Sequence, residues 1–338
     1  MEISEKYARL KFSQLNGFKF ANFLEILEKF ETIENFFEYN PKITHGKLQQ
    51  GVESDKLDDI PNDNFVVYGE GNYPRLLTET PYPPITLFYK GDISLCNEQN
   101  LISIVGTRKH SSYGERVTKV IIEGLGKYNY VFISGMALGI DTLVHSYSLA
   151  NKLKTIAVIP SSLDKPMPMS NRKLFNQIAE DGLVITECLN NFIWNKSVYA
   201  KRNRIIAGLS PKTVVIEAPR KSGSLITANL AFEYNREVYA IPGNIDSVYS
   251  LGTNKLIKDL KAQLFSGVDD IIPGQLKMYK GMDSNKIINL LRVEQLDIEQ
   301  ISELLDMDIN DTKNEILQLE LKGQICLNTD GKYNIKLL

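Results

Sequence analysis

The chain has 338 residues, of which 43% are hydrophobic and 24% are charged, a composition typical of a globular protein with room for two or three domains. Its formal net charge of −2 excludes a partner held by bulk positive charge over the whole chain. Three distant cysteines exclude a disulfide framework, and without a signal sequence or a long apolar stretch we expect a cytoplasmic protein that does not span a membrane.

The charge is unevenly distributed along the sequence. Residues 1–80 carry 9 basic and 14 acidic groups, residues 81–283 carry 24 and 17, and residues 284–338 carry 6 and 10. A basic centre therefore lies between two acidic ends, and only this centre is compatible with a polyanionic partner.

Residues 1–62 are predicted to form a small helical N-terminal domain, because apolar positions such as Phe20, Phe23 and Leu27 are spaced for one helical face. The sequence after this domain contains short segments typical of β-strands, separated by the Pro-rich run ETPYPPI. We expect this part, up to about residue 91, to pack against the main domain as an entry segment.

Between residues 101 and 272 the sequence alternates apolar strands with helix-length segments. The predicted strands are 101–106, 130–135, 154–160, 182–187, 212–218 and 237–243. Each is continuously apolar, which is typical of parallel strands buried on both faces. The pattern predicts a Rossmann-like α/β domain over 63–273, with a doubly wound, mostly parallel sheet whose carboxyl-end loops line one ligand crevice.

Residues 284–338 contain three amphipathic helical segments and two strands around an Asp330-Gly331 turn, which predicts a C-terminal winged-helix domain. The polar residues 274–283 are the predicted linker. The third helix, about residues 309–322, carries two lysines against three acids. Because an acidic helix repels phosphates, we expect this domain to contact protein rather than DNA.

Two of the crevice loops have features typical of anion binding. After the first strand, residues 106–114 (GTRKHSSYG) lead into a helix that Ser111 or Ser112 can cap, and its free N–H groups, together with Arg108, can hold an anion. After the second strand, residues 134–141 (SGMALGID) place glycines where the backbone can approach a ligand. The alternative is that these glycines only make a tight turn.

The densest signal lies between residues 196 and 227. Its basic groups are Lys196, Lys201, Arg202, Arg204, Lys212, Arg220 and Lys221, against the single acid Glu217. Tyr199 stands among these cations, and the run from Lys221 to Ser224 offers phosphate donors at a helix start. Several phosphate-binding positions near an aromatic ring favour a nucleic-acid strand over one nucleotide. The alternative is that the arginines pair with acids elsewhere in the chain.

Signals for catalysis are weak. The sequence has no G-x-S-x-G elbow, no Walker A motif, no G-x-G-x-x-G fingerprint and no metal-ligand spacing of Cys and His. His145 lies four residues after Asp141 on a predicted helix but has no nucleophile beside it, and Glu187 is a single carboxylate. We therefore expect no catalytic residue, no metal and no cofactor.

Taken in order, the runs G-T-R-x-x-S-x-Y-G, S-G-M-A-x-G-I-D, R-N-R-I-I-A-G-L-S, S-G-S-L-I-T-A and I-P-G-N resemble the DNA processing protein A (DprA/Smf) family. The resemblance covers about residues 65–272, and it implies a cytoplasmic, non-enzymatic protein that binds single-stranded DNA. It also implies a homodimer through the Rossmann-like domain, with residues 225–265 as the expected surface. Such a protein loads a RecA-type recombinase onto incoming DNA during natural transformation.

By the same resemblance, Arg108 holds a backbone phosphate, Tyr199 supplies the aromatic position of a basic pocket, and Lys221 begins a further phosphate loop. The DNA-binding residues expected from the loops and the resemblance together are Arg108, Ser112, Tyr113, Gly135, Met136, Lys196, Tyr199, Lys201, Arg202, Asn203, Arg204, Lys221, Ser222, Gly223, Ser224 and Thr227.

The chain departs from the family pattern at Leu138, where many relatives have arginine, and at Tyr199-Ala200, where Phe-Pro is frequent. An alternative function is a nucleotide N-glycosidase that resembles the phosphoribohydrolases and uses the same crevice. Those enzymes have a P-G-G-x-G-T-x-x-E loop with a reacting Glu, whereas the corresponding loop here has no acid before Glu233. A protein-interaction scaffold that binds no DNA is the other alternative.

Overall fold

The computed structural model describes residues 1–15, 19–40, 65–189, 197–272, 285–291, 295–328 and 331–335. The chain forms two compact units, Met1–Ile272 and Pro273–Leu338. None of the helices in the described ranges is long and apolar enough to cross a lipid bilayer. Nowhere in the same ranges do three or more His, Cys, Asp or Glu side chains group as metal ligands.

One sheet organises the first unit. Its strands are β1 (Phe65–Val67), β2 (Thr86–Gly91), β3 (Leu101–Val105), β4 (Val131–Ser134), β5 (Thr155–Val158), β6 (Leu183–Thr186), β7 (Lys212–Val215), β8 (Glu237–Ala240) and β9 (Gln263–Leu264). They lie in the order β1-β2-β6-β5-β4-β3-β7-β8-β9. The β1–β2 and β2–β6 pairings are antiparallel and the others are parallel. The six predicted strands and the doubly wound, mostly parallel sheet are confirmed.

Helices cover both faces of this sheet. The helices described in the first unit are α1 (Ile3–Ser13), α2 (Phe20–Phe30), α3 (Ile33–Tyr39), α4 (Arg75–Thr78), α5 (Ser112–Gly126), α6 (Ile140–Ala150), α7 (Arg172–Asp181), α8 (Ser197–Gly208), α9 (Ser224–Glu233) and α10 (Leu251–Lys258). On one face, Ile104 of β3 packs with Ile121 of α5 and Val144 of α6. On the other face, Val105 packs with Ile205 of α8. Burial on two faces explains why the strands are continuously apolar.

The N-terminal helices share a core with the sheet. Leu10 of α1 packs with Phe65, Phe88 and Val184 of the β1–β2–β6 edge, while an aromatic cluster around Phe23 joins α1, α2 and α3. The described part of residues 1–40 is helical, as the sequence predicts. Residues 41–64 lie outside the described ranges, so the predicted boundary at 62 stays a prediction.

The second unit contains α11 (Lys286–Leu291), α12 (Ile298–Leu305), α13 (Ile309–Leu321) and the antiparallel strands β10 (Ile325–Leu327) and β11 (Tyr333–Ile335). Asp297 and Asp308 cap α12 and α13 by accepting backbone N–H bonds. The predicted order of three helices and two strands is observed, and the winged-helix assignment stays a prediction. The predicted linker, 274–283, lies outside the described residues.

Candidate nucleic-acid interface

The order of the strands places a ligand crevice between β3 and β7. From β3 the chain continues to β4, β5 and β6 on one side, and β7, β8 and β9 lie on the other side. In such sheets, ligands bind at the carboxyl ends of the strands where the winding direction changes. The loops beginning at Gly106 and Ile216 therefore form the centre of the predicted crevice.

The loops after β3, β4 and β7 are tied together by backbone hydrogen bonds. The Thr107 N–H donates to the Glu217 carbonyl at 2.8 Å, and the Ile140 N–H donates to the Thr107 carbonyl at 3.2 Å. Gly139 has a φ of 84°, and a Cβ there would collide with the Thr107 carbonyl oxygen and with the backbone of Arg108. Glycine is required at this position by both conformation and space.

Arg108 and Tyr199, both predicted to bind DNA, contact each other at the centre of the crevice. Arg108 is exposed at the end of β3, and its guanidinium carbon lies 4.8 Å from the centroid of the half-buried Tyr199 ring on α8. A cation–π contact orients the guanidinium plane while leaving N–H groups at its edge for a phosphate. The exposed Lys109 adds a second positive charge beside it.

Arg202, in contrast, faces the interior. It is 6% exposed, and its guanidinium donates to the Gly135 carbonyl at 2.5 Å and to the Val158 carbonyl, which joins the ends of β4 and β5. Burial lowers the pKa of Arg202 to about 10, against the opposing effect of the nearby Asp141 carboxylate. The geometry gives Arg202 a structural task, and its contact with DNA stays a prediction.

Arg204 also has internal partners. It forms an ion pair with Glu187 at the end of β6 and donates to the Tyr82 carbonyl at 2.5 Å. Arg204 therefore pairs with an acid outside the cluster, which is the alternative that the sequence left open for these arginines. Glu187 is the acid of this pair. Lys201 is exposed on α8, whereas Lys196 lies outside the described residues.

The loop before α9 presents Lys221 and Gly223 to solvent. The Ser222 and Ser224 hydroxyl oxygens are 2.7 Å apart, and the Asn203 amide donates to the Gly223 carbonyl at 3.2 Å. This bond attaches the predicted phosphate loop to α8. Thr227, one turn into α9, is buried.

The remaining predicted residues lie on the loops after β3 and β4. Ser112 is exposed in the first turn of α5, and the Tyr113 hydroxyl donates to the Pro242 carbonyl at 3.1 Å. Gly135 and Met136 are buried, and the Met136 carbonyl accepts from the Asn171 amide at 2.9 Å. The structure brings these residues to the same sheet edge as Arg108 and leaves Ser112 and Tyr113 on the surface.

Three exposed cations outside the predicted set lie on the loop after β5 and at the start of α7. Lys165, Arg172 and Lys173 follow β5 and are exposed, and Asn171 ties this loop to Met136. Arg172 and Lys173 occupy the first turn of α7, where the helix dipole disfavours positive charge. These residues follow the predicted strand 154–160. Arg108 was selected as a cation in the loop after a predicted strand, and the same rule could have selected these three residues.

His145 is fully buried on α6, and its Nδ1 lies 2.8 Å from the Thr155 hydroxyl oxygen. Burial, together with the positive charge of Arg202, lowers the pKa of His145 to about 3. The ring is therefore neutral at physiological pH. Its neighbour in sequence, Asp141, is buried too, and its Oδ2 accepts from the Ala137 N–H at 3.3 Å.

Comparisons with known proteins point to one family. The family model for DNA recombination-mediator protein A matches residues 64–275. Protein Smf of Synechocystis sp. is 36% identical over 278 residues, which cover 76% of this chain and 69% of that protein. DNA processing protein DprA of Bacillus subtilis is 33% identical over 237 residues, which cover 70% of this chain and 76% of that protein.

Solved structures agree. The crystal structure of DNA processing protein A from Streptococcus pneumoniae matches with a TM-score of 0.69 at 33% identity, covering 80% of this chain and 98% of that chain. A structure described as showing the single-stranded DNA binding mode of DNA processing protein A from Helicobacter pylori matches with a TM-score of 0.56 at 29% identity. That match covers 61% of this chain and 93% of the other.

Proposed function

The chain belongs to the DNA recombination-mediator protein A family, and from that premise we propose that it binds single-stranded DNA along the carboxyl edge of its sheet without catalysing a reaction on it. The observation that carries the proposal is the exposed Arg108 stacked on Tyr199 where the sheet changes winding direction. Exposed cations on both sides of this pair, on the loops after β5 and before α9, supply further charge for a polyanion.

Single-stranded DNA fits this surface better than duplex. Aromatic rings stack on the faces of unpaired bases, and cations track the backbone, which together give sequence-tolerant binding. In a duplex the faces of the bases are covered by their neighbours, so Tyr199 has no base to contact. The structure of the Helicobacter pylori relative is described as showing a single-stranded DNA binding mode, which supports the same choice.

The family is named for mediating recombination, which supports a proposal about the protein that acts next on the bound strand. We propose that the protein protects incoming DNA and loads a RecA-type recombinase onto it during natural transformation, and family membership is the support for this step. The expected readout is faster displacement of a single-strand-binding competitor by recombinase when this protein is present. Equal rates with and without it would contradict the loading role.

We propose further that the protein is a homodimer through the segment 225–265. This segment exposes large apolar side chains, namely Ile226, Phe232, Ile245, Val248, Leu260 and Leu264. Leu264 lies on β9, whose outer side is the edge of the sheet and has hydrogen-bonding groups available for a second copy. Light scattering should give twice the chain mass for wild type. Leu260→Asp should shift it to monomer, whereas Val120→Asp, at an exposed position on α5, should not.

The test of DNA binding is a titration with single- and double-stranded oligonucleotides of equal length at several salt concentrations. We expect tighter binding to the single strand, with an affinity that falls linearly on a log–log plot against salt by about 0.7 per phosphate contact. Equal affinity for both forms would contradict the stacking role of Tyr199. No binding at low salt would contradict the proposed function and favour the scaffold alternative.

A further inference from the structure

Glu217 is an acid buried within the basic crevice. It follows β7 by two residues and is 3% exposed. Its carboxylate accepts the Ser111 N–H at 2.9 Å and the Ser111 hydroxyl at 2.5 Å. These donors lie at the N-terminus of α5, where the helix dipole stabilises negative charge. An internal carboxylate therefore occupies the position where the sequence predicts an external anion.

Glu217 holds the Arg108 loop at both of its ends. Its backbone carbonyl accepts from Thr107, before Arg108, and its side chain accepts from Ser111, after it. The first turn of α5 is shaped around this carboxylate, because a Cβ at Gly114 would collide with it. The five-residue span from 107 to 111 is thus fixed to the end of β7, the strand on the other side of the crevice.

We propose that Glu217 is a positioning residue for DNA binding, which holds the loop so that Arg108 stays stacked on Tyr199 and presents its guanidinium to a phosphate. The inference rests on the proposed function of the crevice. Glu217 itself faces no phosphate, because both carboxylate oxygens are engaged by Ser111 and the side chain is buried.

The direction of the change in DNA affinity distinguishes a positioning role of Glu217 from a purely electrostatic one. Removing a negative charge from a surface that binds a polyanion raises affinity if the charge acts only at long range. Removing the support of Arg108 lowers affinity. Glu217→Gln keeps the shape of the side chain, but its NH2 group can only donate to the Ser111 hydroxyl oxygen, so two charge-assisted bonds are replaced by weaker neutral ones.

The experiment measures binding of a fluorescent oligo-dT strand by anisotropy at several salt concentrations. The variants are Glu217→Gln, Arg108→Ala, the double variant, and Asp164→Asn, which removes an exposed acid from the loop after β5. We expect Glu217→Gln to weaken binding about fivefold or more and to lower the salt slope by about 0.7, the share of one phosphate contact. In the Arg108→Ala background it should change affinity less than twofold, since the residue it positions is absent.

Thermal unfolding establishes which variants are folded. If Glu217→Gln unfolds, Ser111→Ala removes the hydroxyl bond to Glu217 together with the cap bond from the Gly114 N–H and keeps the backbone bond to Glu217, and it is expected to give a smaller loss of affinity in the same direction. A folded Glu217→Gln that binds as tightly as wild type, or more tightly in the manner of Asp164→Asn, would overturn the inference alone. An equal loss in both backgrounds would also overturn it, because the effect would not pass through Arg108. Absence of binding by the wild type would instead overturn the proposed function.

Discussion

Arg108→Ala is the most direct perturbation of the proposed interface. Arg108 is exposed at the crevice and contacts the Tyr199 ring, and no acid within the described residues forms an ion pair with it, so its removal leaves no charge of this part of the chain unpaired. A charge-assisted contact to one phosphate contributes about 1.5–3 kcal/mol, which corresponds to a loss of affinity of about 10- to 150-fold. The fold should be unaffected, because exposed substitutions of this kind usually change stability by less than about 0.5 kcal/mol.

The salt dependence gives a second, independent number. Loss of one phosphate contact lowers the slope of log affinity against log salt by about 0.7 for a single strand. Between 50 and 200 mM salt, a fourfold change, the defect of the variant should therefore shrink by a factor of about 2.6. Anisotropy titrations with one oligo-dT length at four or five salt concentrations measure both quantities.

Arg75→Ala is the matched control. Arg75 is an exposed arginine, and its backbone N–H donates to the Asn97 side-chain oxygen. Asn97 precedes the amino end of β3, whereas the crevice lies at the carboxyl ends of the strands. Its removal changes the net charge by the same amount but should leave affinity within about twofold. If both variants lost affinity equally, or if the Arg108→Ala defect were the same at every salt concentration, a phosphate contact by Arg108 would be refuted.

Three further predictions follow from neighbouring residues. Tyr199→Ala should cost about 1–3 kcal/mol of binding to a single strand if a base stacks on the ring, while Tyr199→Phe should retain most of the affinity; equal losses for both would refute stacking. Replacing Lys165, Arg172 and Lys173 together by Gln should weaken binding of long oligonucleotides more than short ones and lower the salt slope by up to about 2; a length-independent effect would exclude direct contacts. Burial holds the pKa of His145 at about 3, below the unfolded value of about 6.5. Between these two pH values the unfolded chain binds a proton that the folded chain does not. The stability associated with the neutral ring is therefore complete above pH 6.5 and is lost as the pH falls towards 3. Denaturation curves of His145→Gln should therefore depend less on pH across this window than those of wild type, by roughly 1.4 kcal/mol per pH unit.

Much of the fold could be predicted from the sequence because the sheet is buried on both faces. Parallel strands covered by helices are continuously apolar, so 101–106 and 212–218 could be located without knowing their neighbours. The strand order could not be read in the same way, since nothing in the apolar runs specifies that β3 lies beside β7. The strands also end one to three residues earlier than predicted. Residues such as Glu217, included at the end of a predicted strand, belong to the crevice loops.

The candidate site was less predictable, because a list of charges does not record which of them face solvent. Arg202 and Arg204 are two residues apart on α8 and near Tyr199 in sequence, yet one joins β4 to β5 and the other pairs with Glu187. Their partners at the ends of β4, β5 and β6 lie 17 to 67 residues away in sequence, so the pairing depends on the sheet topology. Arg108, isolated in sequence from this cluster, is brought beside Tyr199 by the same topology.

The positions of the charged residues in the sequence therefore do not show which of them stabilise the crevice and which of them face solvent. The dense cluster of cations in 196–221 includes side chains that hold the strand ends together, and exposed cations come instead from several separate loops around it. A surface assembled from loops on separate strands can keep its spacing only if the loops are fixed to one another. Internal bonds such as those of Arg202 to β4 and β5, and of Asn203 to the loop before α9, provide that fixation. In the proposed interface, the buried charges act through the geometry they impose, and the exposed charges act through the phosphates they are predicted to contact.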